Sequence, residues 1–190
     1  LVRVESGGSK ETDKPVATGE YAQSCLGRER MFEHGSVKYG TPVSLIRLNY
    51  SVEMRYGVLV DIALKVIRDE IIDLSMGFFN IIWQGDMNAM SLLSLKYCTS
   101  PASIINITGP EILSVKQVAI EFGKLFGKTP KFSGEEAPTA LLSNAGLSHK
   151  LFGMPKVSPE QLIKWTANWI SLNNRLLNKQ THFEVRDGKY

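Results

Sequence analysis

The chain has 190 residues, long enough for one domain with its own core or for part of a larger protein. Hydrophobic residues make up 43% and charged ones 22%, and 22 basic against 19 acidic side chains, mixed along the chain, leave a formal charge of only +3; a disordered chain is excluded and no basic face calls for nucleic acid. No apolar run approaches the roughly 20 residues that span a bilayer, and no signal peptide opens the sequence, so it reads as cytoplasmic with no membrane partner.

In chain order, the opening LVRVESGGSKETDKP reads as the tail of a strand and a polar loop, a beginning taken from the middle of a fold. Loop continues from Pro15 to Glu20, and a helix is expected from Tyr21 to about Gly35. After the breaker Gly40-Thr41-Pro42, the alternating aliphatic stretch from Val43 to Tyr50 predicts a buried strand. Leu59, Ile62, Ala63, Val66 and Ile67 recur at helical spacing, an amphipathic helix ending near Asp69-Glu70. Short strands are predicted at Ile72 to Leu74 and at Phe78 to Trp83, with Asp86 as the N-cap of a helix carrying Met90, Leu93 and Tyr97. Ser103 to Thr108 reads as a strand stopped by Gly109-Pro110. Ser114 and Gln117 form a capping box for a helix whose inner face is Val115, Val118, Ala119, Phe122, Leu125 and Phe126, ended by Gly127. Ser158, Pro159 and Gln161 open a last helix with Leu162, Trp165, Thr166, Trp169 and Ile170 on one face, and THFEVRDGKY is read as a short terminal strand. Helices alternating with single strands indicate an α/β fold with a parallel or mixed sheet.

Cys25 and Cys98 are too few and too far apart for a disulfide framework or a zinc knuckle, and read as reduced thiols. His34, His149 and His182 share no metal-ligand spacing, so no metal site is expected. Glu135-Glu136, ahead of Ala137-Pro138, reads as a solvated loop. On a helix, Tyr21, Cys25, Arg28 and Phe32 fall on one stripe, flanked by Ser24 and Glu29. A cation near a phenol favours phenolate and lowers a pKa of about 10, which makes tyrosine a usable proton-transfer group. The same pattern also describes a surface tyrosine beside a helical salt-bridge partner.

The spacing Tyr21-x-x-Ser24-Cys25-x-x-x-Glu29 resembles the Y-x-x-S-K-x-x-x-E helix of the extended short-chain dehydrogenase/reductase family, the NAD(P)-dependent sugar-nucleotide epimerases and dehydratases. LIRLNYS resembles the family's next strand, R-x-x-N-V-Y-G-P, and FFNIIWQGDMNAM its F-x-Y-V-D-D-V-A-x-A segment, with Asp86 at the second aspartate. IINITGPEILSVKQVAIEFGKLFGK and LLSNAGLSHKLFGMPKVSPEQLIKWTANWI are similar to its two remaining motifs, so the resemblance runs from about Pro15 to Ile170. It implies the second half of a doubly wound Rossmann-like sheet, with residues 1–50 a remnant of the nucleotide-binding domain. Residues 51–190 become a small α/β carboxy-terminal substrate-binding lobe whose strand 103–108 returns to the main sheet. The family's glycine-rich phosphate turn has no counterpart here, since Gly7-Gly8 is no substitute, so the chain reads as a fragment or as a decayed relative.

What the resemblance implies for the site is specific. Tyr21 is the acid/base; Tyr21 and Leu48 lie on the cofactor side, NAD or NADP; and Asn49, Tyr50 and Trp83 lie on the nucleotide-sugar side, with Asn49 or Tyr50 in the family's asparagine place. Cys25 occupies the position of the lysine that binds the nicotinamide ribose and holds the tyrosine anionic. Arg28, one turn on, is the compensating cation, while Cys25 reads either as a packed small residue or as a thiol activated by Arg28. The basic residue that often precedes F-x-Y-V is replaced by Met76-Gly77-Phe78, which weakens the expected grip on a diphosphate. The isolated chain is therefore expected to be inactive and to bind no dinucleotide tightly. A non-catalytic binding or interaction module derived from the family is the alternative, and a homodimer through the Tyr21 helix, with Met31 and Phe32 at its seam, is a further expectation.

Overall fold

The computed structural model describes residues 1–189. In chain order its elements are β1 (Val2–Arg3), α1 (Gly19–Tyr39), β2 (Ser44–Leu48), β3 (Ser51–Val52), α2 (Val58–Ile67), β4 (Ile71–Asp73), β5 (Phe78–Phe79), β6 (Ile82–Trp83) and α3 (Gln84–Leu93). They continue with β7 (Ser103–Ile107), β8 (Leu113–Ser114), α4 (Val115–Phe126), β9 (Lys131–Ser133), β10 (Thr139–Ala140), α5 (Gly146–Phe152) and α6 (Pro159–Ser171).

The helix ends follow the local chemistry. The Ser114 hydroxyl accepts from the Gln117 N–H, and Ser158 accepts from Gln161 behind Pro159, as the capping residues predict. Gly127 and Gly40 close α4 and α1 in the left-handed conformation. α1 is longer than expected, because nothing between Gly35 and Gly40 breaks it.

Among the described residues, five strand pairs hold the fold together. The longest joins β2 and β7 in parallel, from Ser44↔Ser103 to Leu48↔Ile107. β3 pairs with β6 and β4 with β9, both parallel, whereas β1 runs antiparallel to β10 and β5 to β8. The fold is thus mixed α/β with parallel pairs. The main core lies among α2, α4 and α6, where Leu59, Ile62, Phe122 and Leu162 are sealed from water with Ile72 and Phe79 beneath them. A second cluster places Met90 of α3 and the flank of α5 on Ile105 and Ile107 of β7. A third gathers Met76, Ala140 and Leu142 under Val2 and Val4.

Several elements differ from the sequence expectations. The stretch 78–83 is two strands: Asn80, buried to 2% exposure, turns the chain from the β8 side to the β3 side. The 43–50 strand stops at Leu48, and Tyr50 takes a positive φ of 37° before β3. Asp86 is not the cap of α3; it lies inside the first turn, and its Oδ2 accepts the N–H groups of Lys156 and Val157 at 2.9 and 3.0 Å. Tyr97 falls in a separate 3-10 turn, Ser94–Tyr97. Leu125 points outward, 49% exposed, while Phe126 stacks on Phe122. Residues 181–189 form turns and bends in place of the expected strand, whose last residue, Tyr190, lies outside the described residues. Among the described residues no helix is long and apolar enough to cross a membrane, and no cluster of His, Cys, Asp and Glu is fit to hold a metal ion.

Candidate active site

The carboxyl ends of parallel strands are where open α/β sheets collect ligand groups. At the end of β2, the Asn49 N–H donates to the Ile107 carbonyl, so the residue continues the pairing with β7 by one step. Its side-chain Nδ2 donates to Asn80 Oδ1 at 3.0 Å and to the Leu141 carbonyl at 3.3 Å. Asn80 Oδ1 also accepts the Ser143 N–H at 3.0 Å. One buried amide therefore ties the end of β2, the β5–β6 turn and the 141–143 segment together. Next door, Asn106, also 2% exposed, donates to the carbonyls of Ser9 and Asn144, and its N–H reaches Glu11 Oε1.

α1 is clamped to this sheet end by charge. Arg47 of β2 holds Glu29 of α1 through Nε and Nη2, with Nε to Oε2 at 3.0 Å, and its Nη1 donates to the Glu11 carbonyl at 3.1 Å. The fork geometry fixes the helix in one orientation, and the carboxylate raises the already high pKa of the guanidinium. Two helical turns before Glu29 stands Tyr21, 64% exposed, its carbonyl accepting from the Ser24 hydroxyl at 2.7 Å. Cys25 is half-buried one turn on, and Arg28 Nη2 lies 3.8 Å from its Sγ. The stripe expected from the sequence thus exists as a stripe: phenol, thiol and guanidinium share one face, with the guanidinium turned to the thiol.

The other candidates spread out from there. Leu48 is 44% exposed beside Asn49. Tyr50 packs on the main core and accepts the Ile82 N–H at its carbonyl. Trp83 meets Trp165 edge to face, 5.8 Å between ring centres, at the margin of that core. Asn80 and Asn106 were missed by sequence reasoning, although an asparagine inside an apolar run is a readable signal of a buried amide with a task. Gly8 is a backbone device: buried, with φ of 97°, it lets the chain pass so close to Ser143 and Asn144 that a Cβ would collide with them.

The residues present do not by themselves fit a dinucleotide. Cys25 offers a thiol where the resemblance would put a lysine, the nearby Arg28 guanidinium is turned to that thiol, and the paired glycines Gly7-Gly8 near the amino end are spent on packing.

No protein-family model and no curated protein matches the chain. Solved structures do. A UDP-glucuronic acid 4-epimerase from Bacillus cereus, in complex with UDP-glucuronic acid and NAD, superposes with a TM-score of 0.73 at 14% identity, over 87% of this chain and 57% of that one. For a UDP-glucose 4-epimerase from Thermotoga maritima with UDP-glucose the TM-score is 0.68 at 18% identity, over 86% and 60%. MoeE5 with UDP-glucuronic acid and NAD gives 0.71 at 14%, over 88% and 60%. The fold is therefore shared with these proteins, and the chain spans about three-fifths of their length.

Proposed function

We propose, starting from a fold shared with UDP-sugar epimerases, that this chain is the carboxy-terminal, substrate-binding part of an NAD(P)-dependent nucleotide-sugar epimerase or dehydratase. Residues 1–50 belong with its nucleotide-binding domain and residues 51–190 form the lobe that grips the nucleotide sugar. The observation that carries this reading is the convergence at Asn49: the strand after the Tyr21 helix, the 78–86 segment and the 141–143 segment, each bearing a motif of the resemblance, are joined through one side-chain amide and Asn80.

In this reading Tyr21 exchanges a proton with a sugar hydroxyl, and Asn49 and Tyr50 orient the sugar. Trp83 borders the same lobe, and Leu48 faces the NAD or NADP of the complete protein. Cys25 is no cation in the place of the lysine, so the chain alone binds the nucleotide sugar and does not turn it over. The test is to mix the 190-residue chain with NAD and UDP-glucose or UDP-glucuronic acid and follow nicotinamide reduction. Saturable UDP binding without reduction supports the reading; any turnover refutes the predicted inactivity, and absence of UDP binding refutes the substrate-lobe assignment.

A second reading, a binding module that kept the fold and lost the chemistry, is favoured by one contact, the Arg28 guanidinium turned to the Cys25 thiol where a lysine would stand. Cys25→Lys in the full-length protein separates the two. A relic stays inert, whereas a working enzyme changes its rate or its pH profile.

A further inference from the structure

Beyond α6 the tail is tied down at a series of points. The Leu177 N–H donates to the Arg55 carbonyl, and Thr181 gives its N–H at 2.9 Å and its hydroxyl at 2.6 Å to Asp61 Oδ2. His182 takes a positive φ of 54° and its carbonyl accepts the Val185 N–H, a turn that sets Phe183 into the main core at 2% exposure. Arg186 is the next anchor. Its Nη1 donates to the carbonyls of Ser75 at 2.6 Å and Thr139 at 2.9 Å, and its Nη2 donates to Thr139 Oγ1 at 2.6 Å. A chain end without such ties frays. Here a buried ring and a three-bond arginine stand three residues apart, and the residues after them start from a fixed place.

Those residues form a tip aimed at α1. Asp187 Oδ1 accepts the Lys189 N–H at 3.1 Å, an aspartate folding its own backbone, with Gly188 at the bend. Gly188 is packed on the backbone of Thr18 and Gly19: a Cβ on Gly19 would lie 2.9 Å from Gly188 Cα, and one on Gly188 would lie 3.0 Å from Gly19 Cα. Both glycines also take a positive φ, 72° at Gly188 and 82° at Gly19. Two residues from opposite ends of the chain thus each need to be glycine, in conformation and in space, at the point where they meet.

Gly19 opens α1, and this end of the helix is lightly secured. Thr18 makes no side-chain cap, and the bond from Gln23 Nε2 to the Ala17 carbonyl at 3.0 Å is local. The clamp of Glu29 on Arg47 comes more than two turns later, and Ser36, the buried residue of α1, lies near its far end. A first turn whose N–H groups lack intrahelical acceptors, and which no core residue pins, is the part of a helix that opens most readily. We propose that the tail is a clasp: anchored by Phe183 and Arg186, it presses Gly188 on Gly19 and holds the first turn of α1, which carries Tyr21, in one setting. That Tyr21 is the acid/base rests on the function proposed above; the clasp rests on the contacts alone.

Two variants of the 190-residue chain test it. Gly188→Val drives the tip off Thr18 and Gly19, and Arg186→Met removes the anchor before the tip. Hydrogen exchange is followed at amides 23–26, which bond to the carbonyls of the first turn, with amides 33–36 and those of α4 as references; the Tyr21 ring resonances, assigned by Tyr21→Phe, are compared with those of Tyr39 at the other end of α1. In both variants amides 23–26 should exchange about tenfold faster or more, with the references unchanged, and the Tyr21 signals should move while those of Tyr39 stay. Unchanged exchange at 23–26 in either variant overturns the clasp, and so does a rise shared equally by α1 and α4, which is general loss of stability. UDP binding by the unmodified chain is scored apart: its absence refutes the substrate-lobe reading and leaves the clasp to the exchange result.

Discussion

Asn80 spends a single oxygen on two donors, the Asn49 amide and the Ser143 N–H, in a place closed to water. Asn80→Ala strands both, and each unsatisfied buried donor costs about 1–3 kcal/mol. A loss of about 2–3 kcal/mol in denaturant unfolding is therefore expected, with UDP binding lost as well; a variant as stable as the parent would mean that Asn49 finds another partner. Asp61 carries a pH dependence. Burial pushes its carboxyl above the ordinary carboxylate value, partly opposed by its bonds from Thr181 and by Lys65, and helped by Glu184 nearby. A raised folded pKa favours the native state below the unfolded pKa, and the advantage is lost as pH rises through the raised value. Asp61→Asn, which keeps an acceptor oxygen and does not ionise, should gain on the parent as pH rises through and above the carboxylate range. Unfolding midpoints from acid to neutral pH check this, and a constant gap at every pH would contradict it. At this scale the sequence was legible for groups on one helix face, such as Tyr21, Cys25 and Arg28. It was not for Asn80 or Arg186, whose partners lie far away along the chain.

At the level of elements, local chemistry and tertiary contact divide the outcome. Capping boxes are self-contained, so both Ser114 and Ser158 were readable from a four-residue window. Ser158→Ala should cost about 1 kcal/mol, seen as a lower urea midpoint with an unchanged slope. Asp86 was misread because its partners, Lys156 and Val157, lie on the α5–α6 connection. The split of 78–83 into two strands was hidden for a similar reason, since period-2 patterning does not reveal which neighbour each pair of residues will find. α1 buries little for its length: of its 21 residues only Ser36 is buried, while Met31 is 69% and Phe32 54% exposed. A homodimer through this helix would cover them. Light scattering over a concentration series should then report twice the chain mass, and Phe32→Glu should return it to a monomer; a parent that stays monomeric removes the dimer.

For the whole molecule, α/β alternation and the periodicity of α2, α4 and α6 carried most of the fold, because a helical core is written as local repeats of apolar residues. Phe122→Ala tests that core and should cost about 3–5 kcal/mol, enough to threaten folding. The pairing of β2 with β7 joins residues some sixty positions apart, and the motif order gave only that strand 103–108 returns to the main sheet; the convergence on Asn49 was not read. The tail contributed nothing readable beforehand: its hold depends on Asp61, Ser75 and Thr139, none of which it resembles in spacing or pattern. That hold has a meaning in time as well as in space. The contact between Gly188 and Gly19 closes a loop over nearly the whole described chain. Loop closure of that span comes late in folding, and during synthesis it waits until residue 188 has left the ribosome. The first turn of α1, and with it Tyr21, therefore acquires its final setting only after the 169 residues from Glu20 to Gly188 have been made.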